Sequence, residues 1–186
     1  MPTFLPYLPN IITGVRFILV APILWSFFSA HYQLGFYLFL IAGISDGIDG
    51  RLARYYGWTS QTGAFLDPLA DKLLLMSSFL VLGYLSQLPT WLVAIVIIRD
   101  TWIMLGALLY RIWIGPIRYE ALMVSKINTV LQVCVILLLL FRLSFVQFPM
   151  MLLQVASGAM VATSIISVMQ YTVIWSQRAW HHVHKR

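Results

Sequence analysis

An all-α, polytopic membrane protein of six transmembrane helices, with a short N-terminal interfacial segment ahead of them, is the fold class this sequence predicts. Three observations carry the prediction. The chain is 61% hydrophobic and 10% charged, where an ordinary soluble domain is about 25% charged. Its apolar runs are each about 20 residues long, which is the length that crosses a bilayer, and short polar or proline-marked turns separate them. Its 186 residues leave room for six such spans and their loops and none for a separate soluble domain. No internal repeat or low-complexity segment interrupts the pattern, so residues 1–186 read as a single transmembrane domain.

Met1 to Asn10 is aromatic and punctuated by proline, which suits a segment lying in the interface. It has no basic region ahead of the first apolar run, so no cleaved signal peptide is expected. The first span runs from about Ile11 to Ala30 and contains Pro22 and Arg16. An intramembrane arginine is by default a functional candidate, although its long stem also lets it snorkel to the near interface. The second span covers about Gln33 to Arg54 and the third about Gly63 to Leu85, where Pro68 cannot donate to the carbonyl of Ala64 and should kink the helix locally. After a turn at Ser86 to Thr90, the fourth span covers about Trp91 to Ile114, with Arg99 and Asp100 near its middle. Because adjacent helix positions do not face one another, Arg99 reads as an anion-binding group in a cavity and Asp100 as pairing elsewhere.

The loop Gly115 to Ser125 supplies Arg118 and Glu120, and Lys126 opens a fifth span running to about Leu143. Helical spacing there puts Lys126, Thr129 and Val130 on one side and Asn128 and Gln132 on another. That pattern suits either a polar helix start at the interface or an acceptor pocket. The last span, about Met150 to Trp175, has the serine and glycine content of a closely packed membrane helix. Its tail, SQRAWHHVHKR, reads as interfacial, and His181, His182 and His184 lack the enclosing ligands of a metal site. Cys134 is the single cysteine, so an intrachain disulfide is excluded, and it reads as a small buried or lipid-facing residue.

The chemistry is concentrated between Ser45 and Lys72. Of six acidic residues in the chain, Asp46, Asp49, Asp67 and Asp71 lie in this stretch. A carboxylate within an apolar span is unfavourable by roughly 2.5–3.5 kcal/mol even on the lenient insertion scale, so a cation must offset the cluster. At about 100° per residue, Asp46, Asp49, Gly50 and Ala53 share one helix face with Arg54 at its edge. The same arithmetic groups Gly63, Asp67 and Asp71 on the next helix. Helices joined by a short connector pack antiparallel, so the two acid faces can meet. Four convergent oxygen ligands suit hard divalent cations, and a pair of Mg²⁺ or Mn²⁺ ions suits action on phosphate. The small residues leave room for a bulky ligand, and Arg54 can fork onto a phosphate. Lys72 is either a charge partner within this site or a snorkelling lysine.

The pattern D-x2-D-G-x2-A-R-x8-G-x3-D-x3-D is met at every position by Asp46, Asp49, Gly50, Ala53, Arg54, Gly63, Asp67 and Asp71. It resembles the signature of the CDP-alcohol phosphatidyltransferases, membrane enzymes of phospholipid biosynthesis. The resemblance implies CDP-diacylglycerol as donor, a glycerol-type acceptor, CMP as leaving product and two divalent cations, Mg²⁺ or Mn²⁺. It implies Asp46, Asp49 and Asp67 as principal metal ligands, with Asp71 contributing to the metal site and also serving as the base for the acceptor hydroxyl. It implies CDP-lipid contacts at Gly50, Ala53, Arg54 and Gly63, with Asn10 and Thr13 matching a P-N-x-x-T stretch beside the nucleotide pocket; a plain helix cap is the other reading of these two. Arg99, Arg118, Lys126 and Lys72 are the acceptor-binding candidates.

Arg99-Asp100 and S-K-I-N-T-x2-Q resemble the CMP-forming cardiolipin synthases, which use phosphatidylglycerol, more than the phosphatidylglycerophosphate synthases. The latter typically carry R-E and G-K-x-K-T at these places, and their second lysine, which helps hold glycerol 3-phosphate, corresponds to Asn128. Phosphatidylglycerol is therefore the expected acceptor and glycerol 3-phosphate the alternative. Buried acids also line ion paths, so an ion-coupled transporter competes, as does a silent scaffold; the missing repeats speak against the first and the intact motif against the second. Relatives in the family are often dimers, which implies a homodimer. Membrane lipids are the expected surroundings, and no nucleic acid is expected as partner. With both termini on the cytoplasmic side of a plasma or inner membrane, that side holds Arg51, Arg54, Arg111, Arg118, Lys126, Arg178, Lys185 and Arg186, against Arg142 opposite. The positive-inside rule then turns the acid cluster toward the cytoplasm.

Overall fold

The computed structural model describes residues 8–56, 61–113 and 122–183, and within them not the side chains of residues 8–13, 16, 46–56, 61–69, 111, 113 and 178–183. All regular structure among the described residues is helical: α1 (Leu8–Phe28), α2 (Tyr32–Tyr56), α3 (Gln61–Tyr84), α4 (Thr90–Trp113), α5 (Met123–Ser144) and α6 (Met150–Val183). Thr90–Tyr110, Met123–Ser144 and Met150–Gln177 are long and apolar enough to cross a membrane, and Phe17–Phe28 and Tyr32–Ser45 are shorter apolar stretches. The protein is a polytopic all-α membrane protein. The interfacial segment expected before α1 lies, up to residue 7, outside the described residues.

The helices follow the apolar runs closely, with two departures. α5 begins at Met123, so the loop expected to reach Ser125 ends sooner. α6 continues through the basic tail as a single helix of 34 residues, about 51 Å long at 1.5 Å per residue, against a hydrocarbon thickness of about 30 Å. The change from apolar to basic residues at Ser176 marks where membrane composition ends, and the helix runs on past it.

Two compact units divide the chain, one drawn from Met1–Gln87 and Ile136–Phe148, the other from Leu88–Val135 and Pro149–Arg186. In the first, α1 packs against both α2 and α3. Val20, Ile23 and Phe27 of α1, Phe39 and Ala42 of α2 and Leu74, Phe79 and Leu82 of α3 are buried. α1 and α2 meet closely at Gly35, where an added Cβ would lie 2.6 Å from the Phe27 ring and 2.7 Å from Ser26 Oγ. Phe36 of α2 sits among Phe141 and Phe145, with Tyr37 edge-on to Phe145.

α1 and α3 end in the same way. His31 N–H donates to the Ser26 carbonyl and Ala30 N–H to that of Phe27; Gln87 N–H donates to Leu82 and Ser86 N–H to Gly83. These are Schellman caps, in which the residue at the turn takes a left-handed backbone. That residue is Ala30 (φ 55°) in one and Ser86 (φ 56°) in the other, where glycine would be the unstrained choice.

In the second unit α4 packs against α6. The two helices pack tightly at Gly106, where an added Cβ would lie 2.6 Å from Trp175 Cε3 and closer still to Cζ3 and Cη2. Gly158 of α6, by contrast, faces open space. The close packing expected from the glycine content of the last span is thus supplied here by a glycine of α4. Val96 of α4, Val135 of α5 and Met160 of α6 are buried in this unit. Cys134 is exposed, as the lipid-facing alternative requires.

Candidate active site

The acids occupy the two ends of a helix–connector–helix unit. Asp46 and Asp49, with Gly50, Ala53 and Arg54, fall in the last turns of α2, and Gly63, Asp67 and Asp71 in the first turns of α3. Residues 57–60 join the two helices. The backbone therefore places both acid pairs at the joined ends of consecutive helices, as the spacing requires. The side chains of Asp46, Asp49 and Asp67 lie outside those described, as do those of Asn10, Thr13 and Arg16. Arg118 falls outside the described residues altogether. Asn10 and Thr13 belong to the opening turns of α1.

Asp71 and Lys72 are half-buried on α3, and each interacts with the surrounding protein. Ala70, directly before Asp71, is fully buried. Among the described residues no group of three metal-ligating side chains gathers, and the meeting of the two acid faces rests on residues beyond them. The test of fit is the donor set itself. Four carboxylates within two adjoining helix ends form an all-oxygen set, which is what hard divalent cations take.

A second polar cluster lies wholly among the described residues. Arg99, Asp100, Asn128, Gln132, Ser164 and Ser167 are all at most 2% exposed, within spans of α4, α5 and α6. Arg99 Nη1 pairs with Asp100 Oδ1, its Nε donates to Ser167 Oγ at 3.1 Å and its Nη2 to Ser125 Oγ at 2.5 Å. Gln132 Nε2 donates to Asp100 Oδ2 at 3.3 Å. Asn128 Oδ1 accepts from the hydroxyls of Thr163 at 2.8 Å and Ser164 at 2.9 Å. One guanidinium, one carboxylate, two amides and several hydroxyls thus tie three helices together.

This geometry corrects the reading of Arg99 as an anion-binding group in a cavity with Asp100 pairing elsewhere. The two neighbours pair with each other, and all three guanidinium nitrogens engage protein oxygens. Adjacent Cβ atoms do diverge on a helix, but the long arginine stem turns its head back to the carboxylate. At the start of the fifth span, Asn128 and Gln132 are buried against the neighbouring helices. Lys126 and Val130 are exposed and Thr129 half-buried, its hydroxyl donating to the Ser125 carbonyl, so the expected division of faces is present.

Thr163, Ser164 and Ser167 were not among the sequence candidates. Their spacing of one, three and four places them on one helix face, the only sequence signal they give, and hydroxyls so placed often bond no further than their own helix carbonyls. Among the described residues, two buried polar atoms of this cluster find no hydrogen-bond partner, Asn128 Nδ2 and Gln132 Oε1.

Comparison with known proteins follows the same motif. The family model described as CDP-alcohol phosphatidyltransferase matches residues 6–176. A probable cardiolipin synthase (CMP-forming) of Drosophila melanogaster is 37% identical over 147 residues, covering 69% of this chain and 45% of that protein. A probable phosphatidylglycerophosphate synthase of Mycobacterium tuberculosis is 37% identical over 99 residues, covering 50% of this chain and 47% of that protein. A CDP-diacylglycerol–glycerol-3-phosphate 3-phosphatidyltransferase of Bacillus subtilis is 35% identical over 161 residues, covering 76% of this chain and 82% of that protein. The chain spans about half the length of the first two relatives.

Proposed function

Since the chain belongs to the CDP-alcohol phosphatidyltransferase family, we propose that it transfers the phosphatidyl group of CDP-diacylglycerol to a glycerol-type alcohol and releases CMP. The observation that carries the proposal is the complete eight-residue motif, distributed over the joined ends of α2 and α3. The acceptor hydroxyl oxygen forms a bond to the phosphorus bearing the diacylglycerol. The bond from that phosphorus to the pyrophosphate bridge breaks, and CMP leaves with the bridging oxygen.

Asp46, Asp49, Asp67 and Asp71 would hold two divalent cations, Mg²⁺ or Mn²⁺, in this reading. Bound there, they would supply positive charge to neutralise the pyrophosphate and to lower the pKa of the attacking hydroxyl. Asp71 takes the hydroxyl proton. Arg54 binds a phosphate oxygen through its forked N–H groups. Gly50, Ala53 and Gly63 let the lipid's phosphates approach backbone, and Asn10 and Thr13 border the nucleotide. Lys72, Lys126 and Arg118 supply positive charge for the acceptor's phosphate. Arg99 serves as a positioning residue, because its nitrogens are engaged by Asp100, Ser125 and Ser167. The positive-inside distribution of lysine and arginine supports a cytoplasmic active site.

Phosphatidylglycerol is the favoured acceptor. The supporting feature is the uncharged Asn128, buried and bonded to α6 hydroxyls, at the place where the resemblance puts a phosphate-holding lysine in enzymes that use glycerol 3-phosphate. Glycerol 3-phosphate is kept as a second reading by the Bacillus subtilis relative, which matches over most of both chains. The test is CMP release by purified, lipid-reconstituted protein given CDP-diacylglycerol and Mg²⁺ or Mn²⁺, with each acceptor separately. Release with phosphatidylglycerol alone is expected, and EDTA should abolish it until metal is restored. Release with glycerol 3-phosphate alone would reverse the choice of acceptor, and silence with both would refute a glycerol-type acceptor.

A further inference from the structure

We propose that the exposed face of α5 from Met123 to Cys134 is a binding site for one anionic membrane phospholipid, whose phosphate meets the Lys126 ammonium and whose acyl chain follows Ile127, Val130 and Cys134. The inference extends the role given to Lys126 above, and its test is binding without turnover, so it can fail while the transferase reading stands. The face follows from helical spacing. Met123, Ile127, Val130 and Cys134 recur every three or four residues, and Lys126 lies on the same side. Met123, Ile127 and Val130 are 70%, 49% and 61% exposed, and Lys126 and Cys134 are exposed with them. Asn128, Gln132 and Val135, on the other side of α5, are buried. An apolar strip that opens on a lysine is thus left uncovered.

What the strip takes depends on its depth. The Asn128 amide meets the hydroxyls of Thr163 and Ser164 at 2.8 and 2.9 Å, half-way along the apolar stretch Met150–Gln177 of α6. Leu122 N–H donates to the Tyr171 hydroxyl, so α5 runs antiparallel to α6 and starts well short of Gln177. Arg99 reaches both Ser125 and Ser167, and Trp102 donates to Thr172, so α4 runs parallel to α6 and its apolar stretch goes on to Tyr110. Lys126 is therefore level with the region of Ser167, and the apolar stretches of α4 and α6 continue past it for roughly ten residues, or about 15 Å. A lysine stem does not span that distance, so snorkelling alone does not bring its ammonium to bulk water. Among the described residues Lys126 has no ion-pair partner, and Glu120, the nearest acid in sequence, lies outside them.

Charge and surface together select the occupant. A cation held at apolar depth is unfavourable until an anion meets it, and a phosphodiester supplies one. The strip beyond Lys126 is apolar, so the phosphate should carry a hydrocarbon chain that covers Ile127, Val130 and Cys134. A soluble phosphate ester would match the lysine and leave the strip bare. A zwitterionic phospholipid would cover the strip but bring its own cation to the phosphate, which weakens the pairing. An anionic phospholipid meets both requirements.

The single cysteine supplies the probe, because Cys134 lies on the same strip two turns from Lys126. The full chain is labelled there with bimane and reconstituted in phosphatidylcholine bilayers. Quenching is then compared for phosphatidylglycerol and phosphatidylcholine that each carry a mid-chain nitroxide, at equal mole fraction. Phosphatidylglycerol should be preferred about fivefold, the effect of one lysine on an anionic lipid. In Lys126→Gln the ratio should fall to about one. Lys126→Arg keeps the charge and should keep the preference; its loss there would overturn the phosphate contact. Val155→Cys in a Cys134→Ser background, 60% exposed on α6, should show no preference. Equal quenching by the two lipids at Cys134 would overturn the site. So would a preference that survives Lys126→Gln or is as strong at Val155→Cys, the result of charge attraction to the protein as a whole. Glycerol 3-phosphate added in solution should leave the quenching unchanged, and its relief of quenching would make this a site for a soluble phosphate and overturn the lipid.

Discussion

Removing one charge of the Arg99–Asp100 pair should destabilise the protein far more than removing both. The two side chains are 2% and 1% exposed, near the middle of the span Thr90–Tyr110. Arg99→Met leaves the Asp100 carboxylate without its guanidinium, and Asp100→Leu leaves the guanidinium against the hydroxyls of Ser125 and Ser167. Breaking one side of a buried pair costs about 3–5 kcal/mol. A lone charge at a span centre costs about 2.5–3.5 kcal/mol on the insertion scale. The two routes agree on about 3 kcal/mol for each single substitution. The lost bonds to serine add little, since interhelical hydrogen bonds in membranes average about 0.6 kcal/mol. The double substitution removes both charges and both desolvation penalties, so it should lie within about 1 kcal/mol of wild type. Reversible SDS unfolding in mixed micelles, followed by helical circular dichroism, measures all four proteins. Single substitutions costing under about 1 kcal/mol, or a double equal to the sum of the singles, would refute a pair that holds these helices.

Three further outcomes are expected. Asp67→Asn should abolish CMP release while the protein keeps its helicity and elution volume in detergent; turnover at the wild-type rate would sink the metal-ligand assignment. Gly106→Ala should destabilise by about 1–3 kcal/mol through overpacking against Trp175, whereas Gly158→Ala, in open space, should be neutral or gain up to about 1 kcal/mol of helix propensity; equal unfolding midpoints for the two would remove the distinction. Ala30→Gly and Ser86→Gly should each be neutral or raise the unfolding midpoint, because a left-handed non-glycine residue costs about 1–2 kcal/mol, and a drop in midpoint for either would contradict the cap geometry.

The helix count and the bounds of α1 to α4 were legible because a bilayer span demands about 20 apolar residues, and the turns after Ala30 and at Pro89 break that pattern. The end of α6 was not, since composition reports the surrounding solvent and a basic, aromatic segment such as Ser176 to Val183 can continue a helix into water. The acid stretch was legible from composition, since four of the chain's six acidic residues fall between Ser45 and Lys72, and the backbone sets them on the joined ends of α2 and α3. The mutual pairing of Arg99 and Asp100 was missed because the rule for neighbours concerns Cβ directions and leaves out the reach of a guanidinium. The roles of Thr163, Ser164 and Ser167 depend on which helix lies opposite, and nothing local to α6 encodes that choice.

The Arg99–Asp100 pair also bears on how the chain is made. α4 leaves the ribosome before α5 and α6, so it meets the insertion machinery before Ser125, Gln132 and Ser167 have been synthesised. The carboxylate next to Arg99 is present from the start, and a segment that carries its own counter-charge can enter lipid as a neutral dipole. An isolated α4 segment should accordingly insert in a glycosylation-reporter assay more readily than its Asp100→Ala form, and equal insertion of the two would remove this role. The later helices then find a charge pair already closed, and their hydroxyls and amides settle around it as a template for the order of assembly.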